Sequence, residues 1–154
     1  MAKHIIDLKA PQERAILVGA PLKRGTGKLL TQEHLDELGR LADTAGALVV
    51  GELTQQLDRP DSSTYIGSGK LEELKTLMTD RDASVVIFDD ELSPAQGKNI
   101  ELTLGKRVID REILLSEVVL ADELGQLFLA DELPKQKIAL GFGLGVFTGI
   151  FPGI

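Results

Sequence analysis

The chain has 154 residues, of which 43% are hydrophobic, so it has the length of one ordinary domain and enough apolar residues for a core. It contains no cysteine, which excludes disulfides, thiolate metal sites and a cysteine nucleophile. The net charge of -7 argues against broad, nonspecific attraction to nucleic acid, although the acids concentrated in residues 112 to 132 leave room for a local basic face elsewhere.

The first predicted elements are a strand and a helix. Residues 14 to 20 form a short run of branched apolar residues, which is typical of a buried strand. Thr31 is placed to cap the following helix, and Gly46 is placed to end it in the left-handed conformation. The apolar residues expected on one face of this helix are Leu35, Leu38, Leu41, Ala42 and Ala45.

The same alternation continues to residue 110. Strands are predicted at residues 47 to 53, 84 to 88 and 107 to 110, with a helix that begins near Ser68 or Gly69 between the first two of them. A further helix is predicted up to about Leu104, where Gly105 ends it, and its N-terminal signals are Ser93, Pro94 and Gln96. Right-handed crossovers then predict an α/β fold, a parallel four-stranded sheet with helices on both faces.

Three segments are therefore expected: an α/β domain over residues 1 to 111, an acidic amphipathic helix over 112 to 133, and an apolar, Gly-rich tail over 134 to 154. Gly125 lies inside the predicted helix at a cost of about 1 kcal/mol relative to Ala. Residues 138 to 154 carry no charge, and their glycines recur every fourth residue, a spacing that lets helices approach closely in a membrane.

Two Gly-x-Gly-Lys turns raise the question of nucleotide binding. A Walker loop needs a Gly that four residues separate from Gly-Lys, and Ser or Thr directly after the Lys. For the turn that ends at Lys70 these positions hold Thr64 and Leu71, and for the turn that ends at Lys28 they hold Leu22 and Leu29, so both turns fail. The amides around Gly67 and Gly69, with Lys70, are still placed to meet an anion at a helix N-terminus.

Asp89, Asp90 and Glu91 follow a predicted strand at the edge where α/β proteins bind ligands, and three carboxylates suit magnesium. We favour the structural interpretation, a solvated acidic run that complements the dipole of the next helix. His4 and His34 have no ligand or triad partner nearby in sequence and are expected on the surface.

Five segments resemble the N-terminal domain of HflX-type GTPases. They occur in the family's order and spacing, and the run TYIGSGK, FDDELSPAQ and VIDR is highly specific. The segments are residues 13 to 19, 37 to 55, 59 to 74, 85 to 101 and 107 to 111. The chain departs from the family directly after residue 111, where acidic residues replace a basic helical region, so a truncated or rearranged member, a domain with a new tail and a fusion all remain open.

The resemblance implies an α/β module that precedes a GTPase domain and contacts the large ribosomal subunit, with GTP and Mg²⁺ bound by the full-length protein. The family's Walker loop is not in this chain, so GTP hydrolysis by the chain alone is not expected. The residues expected to meet rRNA phosphates, with Tyr65 stacking on a base, are Arg59, Tyr65, Gly67, Ser68, Gly69, Lys70, Lys23, Arg24 and Lys28.

Two alternatives accompany this hypothesis. One is a small ATP- or GTP-binding domain that uses residues 67 to 70, with magnesium at Asp89 or Asp90; the resemblance also includes ATP binding by this part of some family members. The other is a domain tethered to a membrane by residues 138 to 154. The charged start of the chain lacks an apolar stretch of signal-peptide length, so a cytoplasmic protein is expected.

Overall fold

The computed structural model describes residues 12 to 23 and 28 to 128, with backbone only for residues 28 to 29 and 124 to 128. Strands and helices alternate along the chain, as predicted. They are β1 (Arg14–Gly19), α1 (Lys28–Thr44), β2 (Leu48–Thr54), α2 (Ser68–Arg81), β3 (Val85–Phe88), α3 (Pro94–Leu104), β4 (Arg107–Asp110) and α4 (Arg111–Phe128).

The four strands form one parallel sheet in the order β2-β1-β3-β4, which confirms the predicted fold class. The chain moves from β1 outward to β2, then crosses back over β1 to reach β3 and β4. The strand order therefore reverses between β1 and β3. In open α/β sheets, ligands bind beside the carboxyl ends of the two strands that flank such a reversal.

The core lies in two layers, one on each face of the sheet. Ile16 and Val18 of β1 face α2 and α3, where Leu74 and Ile100 are fully buried. Ala15 and Leu17 face the other way, toward α1 and α4. Because successive strand residues point to opposite faces, a strand covered on both sides must be apolar throughout, which explains the sequence of β1. Burying each large apolar side chain contributes about 1.5–3 kcal/mol.

The helix ends agree with the sequence signals at three places. The Ser93 side chain accepts a hydrogen bond from the Gln96 N–H while the Gln96 side chain accepts one from the Ser93 N–H, a complete capping box. Gly105 (φ 66) and Gly46 (φ 94) both adopt the positive φ that glycine tolerates best.

The N-cap predicted at Thr31 is wrong. Helix α1 begins at Lys28, so Thr31 lies inside it. A Cβ placed on Gly19 would lie 3.3 Å from the Thr31 methyl carbon and from a Leu35 methyl carbon. The missing side chain of Gly19 thus lets the first turns of α1 pack closely on the end of β1.

Helix α4 packs on the same sheet face as α1 through Leu114, which is fully buried. Its next turn is held by an ion pair of 2.8 Å between Arg107 and Glu117. Gly125 lies within α4, as predicted. None of the helices in residues 28 to 128 is both long and apolar enough to cross a bilayer. The predictions for residues 129 to 154 lie outside the described residues.

Candidate binding site at the carboxyl edge of the sheet

A cleft of about 240 Å³ lies where the strand order reverses. It sits beside the carboxyl ends of β1 and β3, which is the position expected for a ligand site in an open α/β sheet. Residues from the end of β1, from α1 and from the end of β3 line it: Gly19, Ala20, Pro21, Leu22, Thr31, His34, Asp89 and Asp90.

Asp89 is held by side chains from two helices. Its Oδ1 accepts hydrogen bonds from Nε of Arg111, at 2.9 Å, and from Nη2 of the same guanidinium group. Its Oδ2 lies 3.3 Å from Nδ1 of His34. The Asp89 side chain is only 12% exposed, so the prediction of a solvated acidic run is wrong at this position. The charge of Asp89 is balanced within the domain by Arg111.

Arg111 extends this network along α1. Its Nη2 donates a hydrogen bond to the carbonyl oxygen of His34 at 3.2 Å, and its Nη1 lies 3.5 Å from Glu37 Oε1. A single guanidinium group therefore joins the end of β3 to α1 from the first residue of α4. A planar group with several N–H donors is suited to this bridging task.

Asp90 is engaged by a different set of groups. Its Oδ2 accepts a hydrogen bond from the Ala20 N–H at 3.1 Å, and its side chain also accepts one from the Tyr65 hydroxyl. Burial raises the pKa of Asp90, although the hydrogen bonds from Ala20 and Tyr65 act in the opposite direction. Burial, followed by the negative charge of Asp90, raises the pKa of Tyr65 to about 12. Tyr65 therefore stays protonated at neutral pH and donates to Asp90.

The partly buried Tyr65 ring packs against the core of the domain. Its centroid lies 6.5 Å from that of Phe88, with the two planes at 73°, an edge-to-face arrangement. The residue has φ 65, which is rare for a non-Gly residue. These contacts give Tyr65 a structural role, and its stacking on a base stays a prediction.

The backbone around Tyr65 is fixed by Asp61. Asp61 Oδ1 accepts hydrogen bonds from the N–H groups of Ser63 (2.7 Å) and Thr64 (3.1 Å), and these bonds lower the pKa of Asp61. The backbones of Asp61 and Tyr65 also bond to each other in both directions, at 2.9 and 3.0 Å. The loop therefore closes on itself and fixes the backbone of Tyr65.

Helix α3 and strand β2 hold the same loop from outside. Gln96 Nε2 donates to the Asp61 carbonyl at 2.7 Å, and Asn99 Nδ2 donates to the Ser63 carbonyl at 2.9 Å. Gln55, directly after β2, accepts a hydrogen bond from the Gly67 N–H at 3.0 Å. The segment that contains the Gly-x-Gly-Lys turn is thus braced on both sides before α2 begins.

The turn itself forms the start of α2, as predicted. Gly67 is the N-cap, Ser68 is the first helical residue, and nothing lies within 4 Å of a Cβ placed on Gly69. Lys70 does not extend freely, because its Nζ lies 3.3 Å from Glu73 and its side chain is only 24% exposed. The structure brings residues 67 to 70 together at a helix N-terminus, and anion binding there stays a prediction.

The loops after β1 and β2 run side by side at the carboxyl edge. The Lys23 N–H donates to the Leu57 carbonyl at 2.8 Å, and the Leu57 N–H donates to the Pro21 carbonyl at 2.9 Å. The exposed Lys23 Nζ lies 3.4 Å from Asp58 Oδ2, and Arg59 is exposed in the same loop. We call Lys23 and Arg59 with the paired backbone between them the basic ridge. Of the other predicted contacts, Arg24 and the Lys28 side chain lie outside the described residues.

Sequence reasoning did not find the pairing of His34 with Asp89. His34 is half-exposed, as expected for a surface residue, but its partner is distant in sequence and only the sheet order brings the two together. No group of three or more metal-binding side chains occurs in the described part of the chain. Because Arg111 and His34 already occupy Asp89, the two weak metal candidates do not form an open carboxylate pair.

The fold and site define a class: an open, parallel α/β domain whose carboxyl edge holds a small cleft with two engaged carboxylates and is flanked by braced loops. The family model described as "GTP-binding GTPase N-terminal" matches residues 32–119. The chain belongs to this family, the N-terminal domain of HflX-type GTPases.

Curated relatives agree with this assignment. GTPase HflX of Caldanaerobacter subterraneus subsp. tengcongensis is 42% identical over 112 residues, covering 73% of this chain and 25% of the relative. GTPase HflX of Lacrimispora saccharolytica is 40% identical over 116 residues, covering 75% and 26%. That of Alkalihalophilus pseudofirmus is 37% identical over 147 residues, covering 86% and 34%. The chain therefore spans a quarter to a third of the length of these relatives.

A solved structure shares the fold. The GTP-binding protein of Sulfolobus solfataricus in complex with GDP superimposes with a TM-score of 0.51 at 21% identity, covering 90% of this chain and 45% of that one. At this identity the likeness concerns the fold alone.

Proposed function

We propose that the chain is a noncatalytic N-terminal module of an HflX-like GTP-binding protein that docks on the large ribosomal subunit in the cytoplasm. GTP and Mg²⁺ belong, on this proposal, to the longer family members. The observation that carries the proposal is the basic ridge: backbone hydrogen bonds hold the loops of Lys23 and Arg59 side by side on an exposed edge of a family member.

The ridge suits phosphate groups better than bases. Lysine and arginine bind phosphate through charge-assisted hydrogen bonds, and such contacts position a protein on RNA without reading its sequence. Because the whole chain has a net charge of -7, long-range attraction to RNA is weak, and a short-range contact must supply the affinity. A backbone fixed before binding loses little conformational entropy on docking.

The residues at the ligand edge do not fit a nucleotide with magnesium. Lys70 is engaged by Glu73, and Asp89 by Arg111 and His34. A phosphate in the cleft would meet the negatively charged carboxylate of Asp90. The geometry of the described residues therefore does not support the alternative of a small nucleotide-binding domain.

Co-sedimentation with purified large ribosomal subunits tests the proposal. The wild-type chain is expected to sediment with the subunits at low salt and to dissociate as salt rises. Each phosphate contact contributes about 0.7–0.9 to the slope of log affinity against log salt, so Lys23→Ala/Arg59→Ala should reduce the magnitude of that slope by about 1.4–1.8.

A matched control removes two other exposed positive charges. Lys75 lies on α2, and Lys106 lies at the amino edge of the sheet, so Lys75→Ala/Lys106→Ala changes the net charge equally. This variant should keep the wild-type slope. If the wild-type chain does not sediment with the subunits at low salt, the proposal is wrong. If both double variants reduce the salt slope equally, the basic ridge is not the contact with the ribosome.

A further inference from the structure

Helix α4 carries more apolar surface than the described domain covers. Leu114 faces the core, whereas Leu115, Val119 and Leu120 are 40%, 56% and 37% exposed. Together with Ser116 and Glu123 these three residues line a shallow groove along the helix. Single exposed apolar residues are ordinary on a protein surface, but a continuous stripe of them on one helix indicates a surface that another segment covers.

We propose that residues 138–154 of this chain cover the α4 groove. These residues lie outside the described part, and their sequence carries no charge, so in water they need an apolar surface to bury against. The groove is apolar and close to them along the chain. Val119 and Leu115 lie within about 20 Å of Phe128 at the helical rise, and residues 129–137 span up to about 30 Å when extended.

Charge favours this occupant over a second copy of the chain. Residues 129–137 contain Asp131 and Glu132 as well as Lys135 and Lys137, so the segment that leads to the uncharged run has no net charge to repel the acidic helix. The two lysines are the charges next to the run, and a chain that folds back along α4 brings them toward Glu123, which lines the groove. Two copies packed through the same groove instead oppose acidic helices, since Glu112, Glu117, Asp122 and Glu123 outnumber the single base Arg111 in the described part of α4.

Paired cysteines test the contact directly, because the natural chain has none. Val119→Cys is combined in the full chain with Leu144→Cys or, separately, with Phe147→Cys. The matched control carries Leu102→Cys with the same tail cysteines; Leu102 is 74% exposed on α3, on the opposite face of the sheet. Disulfide formation under copper phenanthroline is followed by non-reducing electrophoresis and mass spectrometry, and circular dichroism checks that each variant folds.

We expect an intramolecular disulfide from Val119→Cys, with at least one tail cysteine, to form at least about tenfold faster than with Leu102→Cys. Equal rates at the two positions would overturn the proposal. Disulfide-linked dimers without the intramolecular product would also overturn it, in favour of a second copy. The proposal would also be wrong if the full chain floats with phosphatidylcholine vesicles and the intramolecular cross-link does not form. That result would favour a membrane contact for residues 138–154.

Discussion

Replacing Asp110 with alanine should destabilise the domain strongly, because its buried carboxylate satisfies two separate segments. Asp110 is 5% exposed; its Oδ1 accepts from the Ile113 N–H in the first turn of α4, and its Oδ2 accepts from the Leu92 N–H before α3, both at 3.0 Å. Loss of a helix N-cap costs about 1 kcal/mol, and an unsatisfied N–H costs about 1–3 kcal/mol. Since Leu92 is only half-buried and water can reach it, we expect about 2–3 kcal/mol in total.

Urea unfolding followed by far-ultraviolet circular dichroism measures this loss. With a urea dependence of about 1–3 kcal/mol/M, the midpoint should fall by about 0.7–3 M. Asp110→Asn can accept only one of the two hydrogen bonds and should fall between wild type and Asp110→Ala. Asp80→Ala, at an exposed position of α2, should change stability by less than about 0.5 kcal/mol. If Asp110→Ala also stays within that range, the two hydrogen bonds are not the support that the geometry assigns to them.

Three further predictions concern the fold and the cleft. Gly105→Ala should cost about 1–2 kcal/mol, because its φ of 66 strains a Cβ even in open space, whereas Gly97→Ala in α3 should stabilise by up to about 1 kcal/mol; equal thermal shifts in the two variants would contradict this. Burial raises the folded-state pKa of Asp90 above 3.8, so the stability that its protonated form contributes is complete below 3.8 and is lost as pH rises through the raised pKa. The free energy of unfolding of wild type, relative to that of the non-titrating Asp90→Asn, should therefore fall over that pH window, and a flat or rising difference in urea unfolding would count against the assignment. Tyr65→Phe removes a hydrogen bond that lowers the pKa of Asp90, so a carboxyl NMR titration should show that pKa rising further, and an unchanged value would mean that the hydroxyl does not reach the carboxylate.

The sequence predicted helix ends correctly where the contacts that decide them lie within a few residues of each other. The capping box of Ser93 and Gln96 lies within four residues, and the stop at Gly105 depends on one backbone conformation, so both could be read from the sequence. Thr31 shows the limit of such reading. It has a good N-cap side chain, but α1 begins at Lys28, and the Thr31 methyl group lies against Gly19 instead.

The site was less predictable because its contacts depend on the strand order. The sequence placed Asp89 and Asp90 correctly at the end of a strand, yet gave no reason to pair Asp89 with His34 or Arg111. Those pairs form because α1 and α4 cover the same face of the sheet. Tyr65 was expected to meet RNA from its residue type alone. Its positive φ and its contact with Phe88 could not be predicted, because they occur beside a turn that Asp61 fixes and that α3 holds through Gln96.

The carboxylates of the cleft favour docking through the loops over capture of a small anion. A phosphate in the cleft would face Asp89 and Asp90, and Arg111 could pair with it only by leaving Asp89, whose side chain is 12% exposed. Loss of one member of a buried ion pair is strongly unfavourable. The basic ridge carries no such cost, since the only ion pair of Lys23 among the described residues is with the exposed Asp58, and exposed pairs contribute little stability. Exchanging Asp58 for an RNA phosphate therefore costs the domain little, whereas in the cleft the same phosphate meets two carboxylates, and the basic side chains beside them, His34 and Arg111, are already engaged by Asp89.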